Sequence, residues 1–172
     1  LGDVYKRQVQ TKVYKPSEFH RQNANPIGNQ THFIAGDKDG NVFFDSDQSL
    51  IRYDIQTQKF SCLRKSNVYT VASIKGTIWV GIADSILTWN PDKNDFDFVT
   101  RLENRNQRAT CLLEDSGGRY WIGTTDGLFK MNDDKSLTCM IMGEDIYDLY
   151  EDSKYNLWIS IRMNGICLLY TS

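Results

Sequence analysis

Short apolar runs alternate with clusters of Gly, Asn, Asp and Ser along this chain, and the runs carry strand and turn residues with no helical pattern. In the best-formed stretch, residues 108–114, 119–124, 127–131 and 136–142 each read as a strand. The residues between them supply positive φ or cap a turn with their own side chains. An aromatic residue follows the first of these turns, and an aliphatic residue opens another strand about seven residues later. The aromatics are Phe43, Trp79, Trp121 and Trp158, and the later strands open at Leu50, Ile86, Leu128 and Ile166. The aromatic positions recur at intervals of 36, 42 and 37 residues.

Repeats of this length built from strands predict blades of a β-propeller, an all-β fold with four antiparallel strands per blade. Closure needs about four to eight blades, so four copies are expected to form an open arc of a larger propeller. The blades are placed at 31–66, 67–104 and 105–143, with a partial blade at 144–166. Residues 9–30, with Pro16 and Pro26, read as the outer strand and loop of a preceding blade. The two ends, 1–8 and 167–172, resemble translated sequencing-adaptor tails of the kind found on open reading frames from metagenomic assemblies. The chain is therefore read as a fragment with both ends set aside.

Each repeat position has an expected job. Asp37, Asp115 and Asp152 open the turn before the aromatic residue, where a carboxylate can accept backbone hydrogen bonds. Phe43, Trp79, Trp121 and Trp158 are expected between neighbouring blades, where a buried indole is worth roughly 4–6 kcal/mol gross. Gly81 and Gly123, two residues further on, leave room for close approach of the adjoining blade. Ser160 keeps that position small and Asp45 does not.

Charge and composition narrow the function classes. A net charge of -2 and a pI near 5.7 offer no basic footprint for nucleic acid. Cys62, Cys111, Cys139 and Cys167 show neither a C-x-x-C pair nor clustering with His20 or His32, so no metal site is expected. No phosphate-cradling glycine loop or kinase signature occurs, and no cofactor or catalytic residue is assigned. Glu114–Asp115 and Glu151–Asp152 are paired carboxylates at equivalent repeat positions, which favours turn chemistry over glycoside hydrolysis.

If the strands run up and down from the axis outward, the loop joining strands two and three shares a face with the loop leading to the next blade. That mouth would hold Asp84, Asn104, Arg105, Asn106, Thr125, Asp126, Arg162 and Asn164. Their side chains could hydrogen-bond sugar hydroxyls, with Arg105 and Arg162 available for a carboxylate or sulfate.

Residues 111–132, CLLEDSGGRYWIGTTDGLFKMN, resemble the two-component regulator propeller repeat, and 146–166 match it nearly as well. Residues 69–90 keep Trp79, Val80 and Gly81, while the first copy has Phe43-Phe44-Asp45 where the repeat has Trp-Ile-Gly. The resemblance implies the extracytoplasmic sensor half of a hybrid histidine kinase of the kind common in gut Bacteroidetes, lying in the periplasm. It also implies a glycan-derived small-molecule ligand and a homodimer, with no membrane contact by this segment. The alternatives are a noncatalytic protein-interaction propeller, a sensor for another output such as a diguanylate cyclase, and a propeller hydrolase or lyase.

Overall fold

The computed structural model describes residues 31–64 and 67–170. The expectations for 1–8, for the strand and loop of 9–30 and for the last two residues lie outside these. Four antiparallel sheets follow one another along the chain, each with its strands in sequential order. The first holds β1 (Ile34–Gly36), β2 (Val42–Ser46), β3 (Ser49–Asp54) and β4 (Lys59–Arg64). The second holds β5 (Val68–Ile74), β6 (Thr77–Ile82), β7 (Ser85–Asn90) and β8 (Asp95–Arg101). The third holds β9 (Ala109–Glu114), β10 (Tyr120–Thr124), β11 (Gly127–Met131) and β12 (Leu137–Met142). The fourth has three strands, β13 (Ile146–Glu151), β14 (Leu157–Ile161) and β15 (Gly165–Leu169). β15 runs on through Cys167, Leu168 and Leu169, so three of the six residues set aside at that end pair with β14.

The sheets stack as blades of an open propeller, with β1, β5, β9 and β13 innermost. Strand alternation assigns each side chain to one neighbour or the other. In β6, Ile78 and Val80 face the first blade in a core with Phe43, Leu50, Val68 and Trp89. Trp79, between them in sequence, faces the third blade with Ile122, Phe129 and Met131 and stacks on Tyr120 at 5.1 Å. Trp121 repeats the move one blade on, joining Ile146, Leu149, Leu157 and Ile159.

Trp158 departs from the expectation of a buried indole: it is 39% exposed. Its face of the fourth sheet, with Tyr150 and Ile166, surrounds a hollow of about 300 Å³ that no further blade covers among the described residues.

At the end of the arc opposite the loops that join second and third strands, each blade grips the next. Lys38 N donates to Gly76 O at 2.9 Å, Lys75 Nζ pairs with the Glu114 carboxylate, and Ser116 donates through N and Oγ to Glu151 at 2.8 and 2.7 Å. The paired carboxylates thus divide their work, Glu114 and Glu151 joining blades while Asp115 and Asp152 order turns.

Asp115 Oδ1 accepts Arg119 N at 2.9 Å, and Oδ2 accepts Arg119 Nε at 2.6 Å and Trp121 Nε1 at 2.8 Å. Asp152 repeats this, accepting Asn156 N and Nδ2 and Trp158 Nε1 at 2.9 Å. Burial alone would raise the Asp115 pKa. The hydrogen bonds from Trp121 and Arg119 and the guanidinium charge outweigh it, leaving the carboxyl below its ordinary 3.8. A depressed folded-state pKa contributes stability that is present above pH 3.8 and lost as pH falls through the folded value. Asp115→Asn should therefore be less stable than wild type at pH 7, with the gap narrowing as pH falls below 3.8. Thermal melts across that range check this; a gap constant with pH would show that the charge on Asp115 plays no part.

Candidate functional site

The loops between second and third strands and those leading to the next blade do share one face, tied by backbone hydrogen bonds. Ala83 N donates to Asn67 O at 2.8 Å, Leu102 N to Asp84 O at 2.8 Å, Thr125 N to Arg108 O at 3.1 Å and Arg162 N to Asp145 O at 2.8 Å. Below this rim, on the concave side of the arc, lies a cavity of about 730 Å³ lined by the innermost strands.

A recurring bulge builds its wall. Val68 pairs with Ile82 and Thr70 with Gly81, leaving Tyr69 as the extra residue. Ala109 pairs with Thr124 and Cys111 with Gly123, leaving Thr110. Ile146 pairs with Ile161 and Asp148 with Ser160, leaving Tyr147. A bulge re-aims the unpaired side chain and bends the strand, and here all three bulged residues line the cavity.

The first blade reaches a similar arrangement differently. Asp45 occupies the repeat position of Gly81 and is buried, with Oδ1 accepting His32 N and Phe33 N, both at 2.7 Å, and Oδ2 meeting His32 Nδ1 at 2.9 Å. A carboxylate accepts, so Nδ1 carries the hydrogen. His32 thereby joins Tyr69, Thr110 and Tyr147 on the wall, one residue from each blade.

Arginines lie over two of these rings: Arg108 sits 4.7 Å above Tyr69 and Arg162 5.3 Å above Tyr147. Arg162 Nε also donates to Asp145 Oδ2 at 2.9 Å. Cys111 lines the same wall, and burial pushes its thiol up to about 12, so it stays protonated and non-nucleophilic at neutral pH.

Of the eight mouth residues expected from sequence, Thr125 and Arg162 line the cavity. The other six lie outside its lining, and most of their side chains tie loops together. Asp84 accepts Ser85 Oγ, Asn104 Oδ1 accepts Asn106 N, Asp126 accepts Gln107 Nε2, and Asn164 Nδ2 donates to Glu144. Arg105 is exposed. Sequence reasoning missed His32, Tyr69, Arg108, Thr110, Tyr147 and Asp148. The signal was present: the buried pairs Val68/Val71 and Ile146/Leu149 are spaced by three, which breaks strand alternation and marks a bulge. Among the described residues no group of three or more His, Cys, Asp or Glu is placed to hold a metal.

Four packed blades around a concave axis define an open segment of a β-propeller. Residues 105–126 match the family model described as "Two component regulator propeller". No curated protein matches the sequence.

Among solved structures, the chain is similar to two extracellular domains from B. thetaiotaomicron. The domain of BT4673, described as a one component system, has 21% identity and a TM-score of 0.70 over 89% of this chain and 23% of the other. The domain of BT3049, described as a hybrid two component system, has 19% identity and a TM-score of 0.70 over 93% and 23%. Virginiamycin B lyase from Staphylococcus aureus is also similar, at 15% identity and a TM-score of 0.67 over 86% of this chain and 54% of the enzyme. The chain spans about a quarter of the length of the two B. thetaiotaomicron domains.

Proposed function

We propose that this chain is a ligand-sensing propeller segment from the extracytoplasmic, periplasmic part of a membrane-bound two-component sensor, a hybrid histidine kinase. Its axial cavity takes a small molecule, a glycan fragment. The observation that carries this reading is the cavity wall, to which four successive blades all contribute, three of them with the extra residue of a bulge. The propeller repeat at 105–126 and the fold of the two-component domains support the class. In such a receptor the segment binds and does no chemistry, the kinase activity and dimerisation lying with the parent protein.

Titration calorimetry of the full chain against a panel of oligosaccharides tests the site. Thr125→Trp places an indole at an exposed position on the rim and should weaken binding at least about tenfold while leaving the melting temperature nearly unchanged. Arg105→Ala, outside the cavity lining, should leave binding intact. Undiminished affinity in the Thr125→Trp variant would move the ligand off the axis. Turnover of any panel member would favour the lyase reading instead.

A further inference from the structure

Resting on that reading of the axial cavity, we infer that its ligand is an anionic saccharide, gripped through a carboxylate or sulfate by Arg108. Among the described residues five arginines are matched to acids, Arg52 with Asp54, Arg64 with Asp95, Arg101 with Asp84, Arg119 with Asp115 and Arg162 with Asp145, while Arg105, outside the cavity lining, and Arg108 have no such pair. Arg108 lines the cavity and has no carboxylate within ion-pair distance among the described residues, although the chain has 22 acidic against 20 basic side chains. A cation left unmatched in a concave site of an acidic protein is a place for an anion from outside.

The guanidinium of Arg108, an exposed residue, rests on an aromatic ring. The Tyr69 ring lies 4.7 Å beneath it, and its backbone is tied to the Thr125 loop on both sides, N to Thr125 Oγ1 at 3.3 Å and O from Thr125 N at 3.1 Å. A stacked, planar fork of donors matches two oxygens of one carboxylate or sulfate. Arg162 over Tyr147, paired with Asp145, places a second guanidinium at the cavity, and the lining carboxylate is that of Asp148, which accepts Leu149 N at 2.9 Å.

The same geometry favours a sugar over a flat heteroaromatic anion. The guanidiniums already cover a face of each tyrosine, so neither ring offers that face for stacking a base. What remains around them is hydroxyl chemistry from Thr125, Tyr69 and Tyr147, suited to a polyhydroxylated ring.

The test is calorimetry of the full chain with two matched pairs of probes: trigalacturonate against its carboxyl-reduced trisaccharide, and a sulfated carrageenan tetrasaccharide against its desulfated form. The acidic member of at least one pair should bind at least about tenfold more tightly than its neutral partner, with affinity falling as salt rises. Arg108→Gln should weaken that acidic probe by about 10- to 100-fold. Arg108→Lys, which keeps the charge and loses the fork, should recover only part of it and guards against a folding artefact. Equal affinity within both pairs, or acidic binding unchanged in Arg108→Gln, overturns the anionic ligand while leaving the cavity in place if Thr125→Trp still blocks the neutral sugars. If none of the four probes binds, or if Thr125→Trp has no effect on those that do, the cavity reading falls and the anion with it.

Discussion

Trp121→Ala is expected to lower the unfolding free energy by about 3–5 kcal/mol, while the same change at Trp158 costs about 1 kcal/mol. The two indoles occupy equivalent repeat positions and make the same hydrogen bond to a turn aspartate, at 2.8 Å to Asp115 and 2.9 Å to Asp152. They differ in what lies on the other side. Trp121 is 2% exposed against the fourth blade, whereas Trp158 is 39% exposed on an uncovered face. Removing Trp121 leaves a hole between two sheets and strips a donor from a buried carboxylate. Urea melts of both variants decide this, and equal losses would mean that the Trp158 face is covered in solution by something other than water.

Gly123→Val should destabilise by at least about 1–3 kcal/mol and also weaken ligand binding. A Cβ at Gly123 would run into Cys111 Sγ and come within 2.7 Å of Ile146 Cγ2, from the next blade. Gly81 is as tight, 2.8 Å from Thr70 Cγ2 and 2.9 Å from Ala109 Cβ. In each case the obstructing residue belongs to an innermost strand beside a bulge, so an intruding methyl shifts Tyr147 or Thr110 on the cavity wall. Ser160→Val, at the equivalent place in the fourth blade where no next sheet packs among the described residues, should stay within about 0.5 kcal/mol of wild type. Denaturant midpoints and calorimetry on these two variants check both halves. A Gly123→Val protein with normal stability would mean that the blades can part without cost.

How much was legible from the sequence follows the range of the interactions. The 127–131 strand is found where alternation and its turns put it, and the 119–124 and 136–142 runs each start one residue later in the structure. Turn aspartates and indoles stood out because six residues of chain fix their relation: carboxylate, hairpin and Nε1 donor all belong to one β-hairpin. The mouth residues were harder. Loop position places Asp126 and Asn104 on the same face as the cavity rim, but their side chains answer to Gln107 and Asn106 beside them. Loop polarity alone could not separate residues that tie the rim from Thr125 and Arg162, which line the cavity.

The sequence by itself determined the repeat, the strand order and the residue types that fill each blade, since alternation and turn chemistry act between near neighbours. Tertiary structure alone decided which aromatics are buried and which side chains meet at the axis. Trp158 carries the same local signals as Trp121, and only the presence or absence of an adjoining blade separates them. Arg108 and Arg162, 54 residues apart, come to line one cavity because stacked sheets bring bulged inner strands around a common axis. That closeness arises from inter-blade packing, a property of the arc that no single repeat contains.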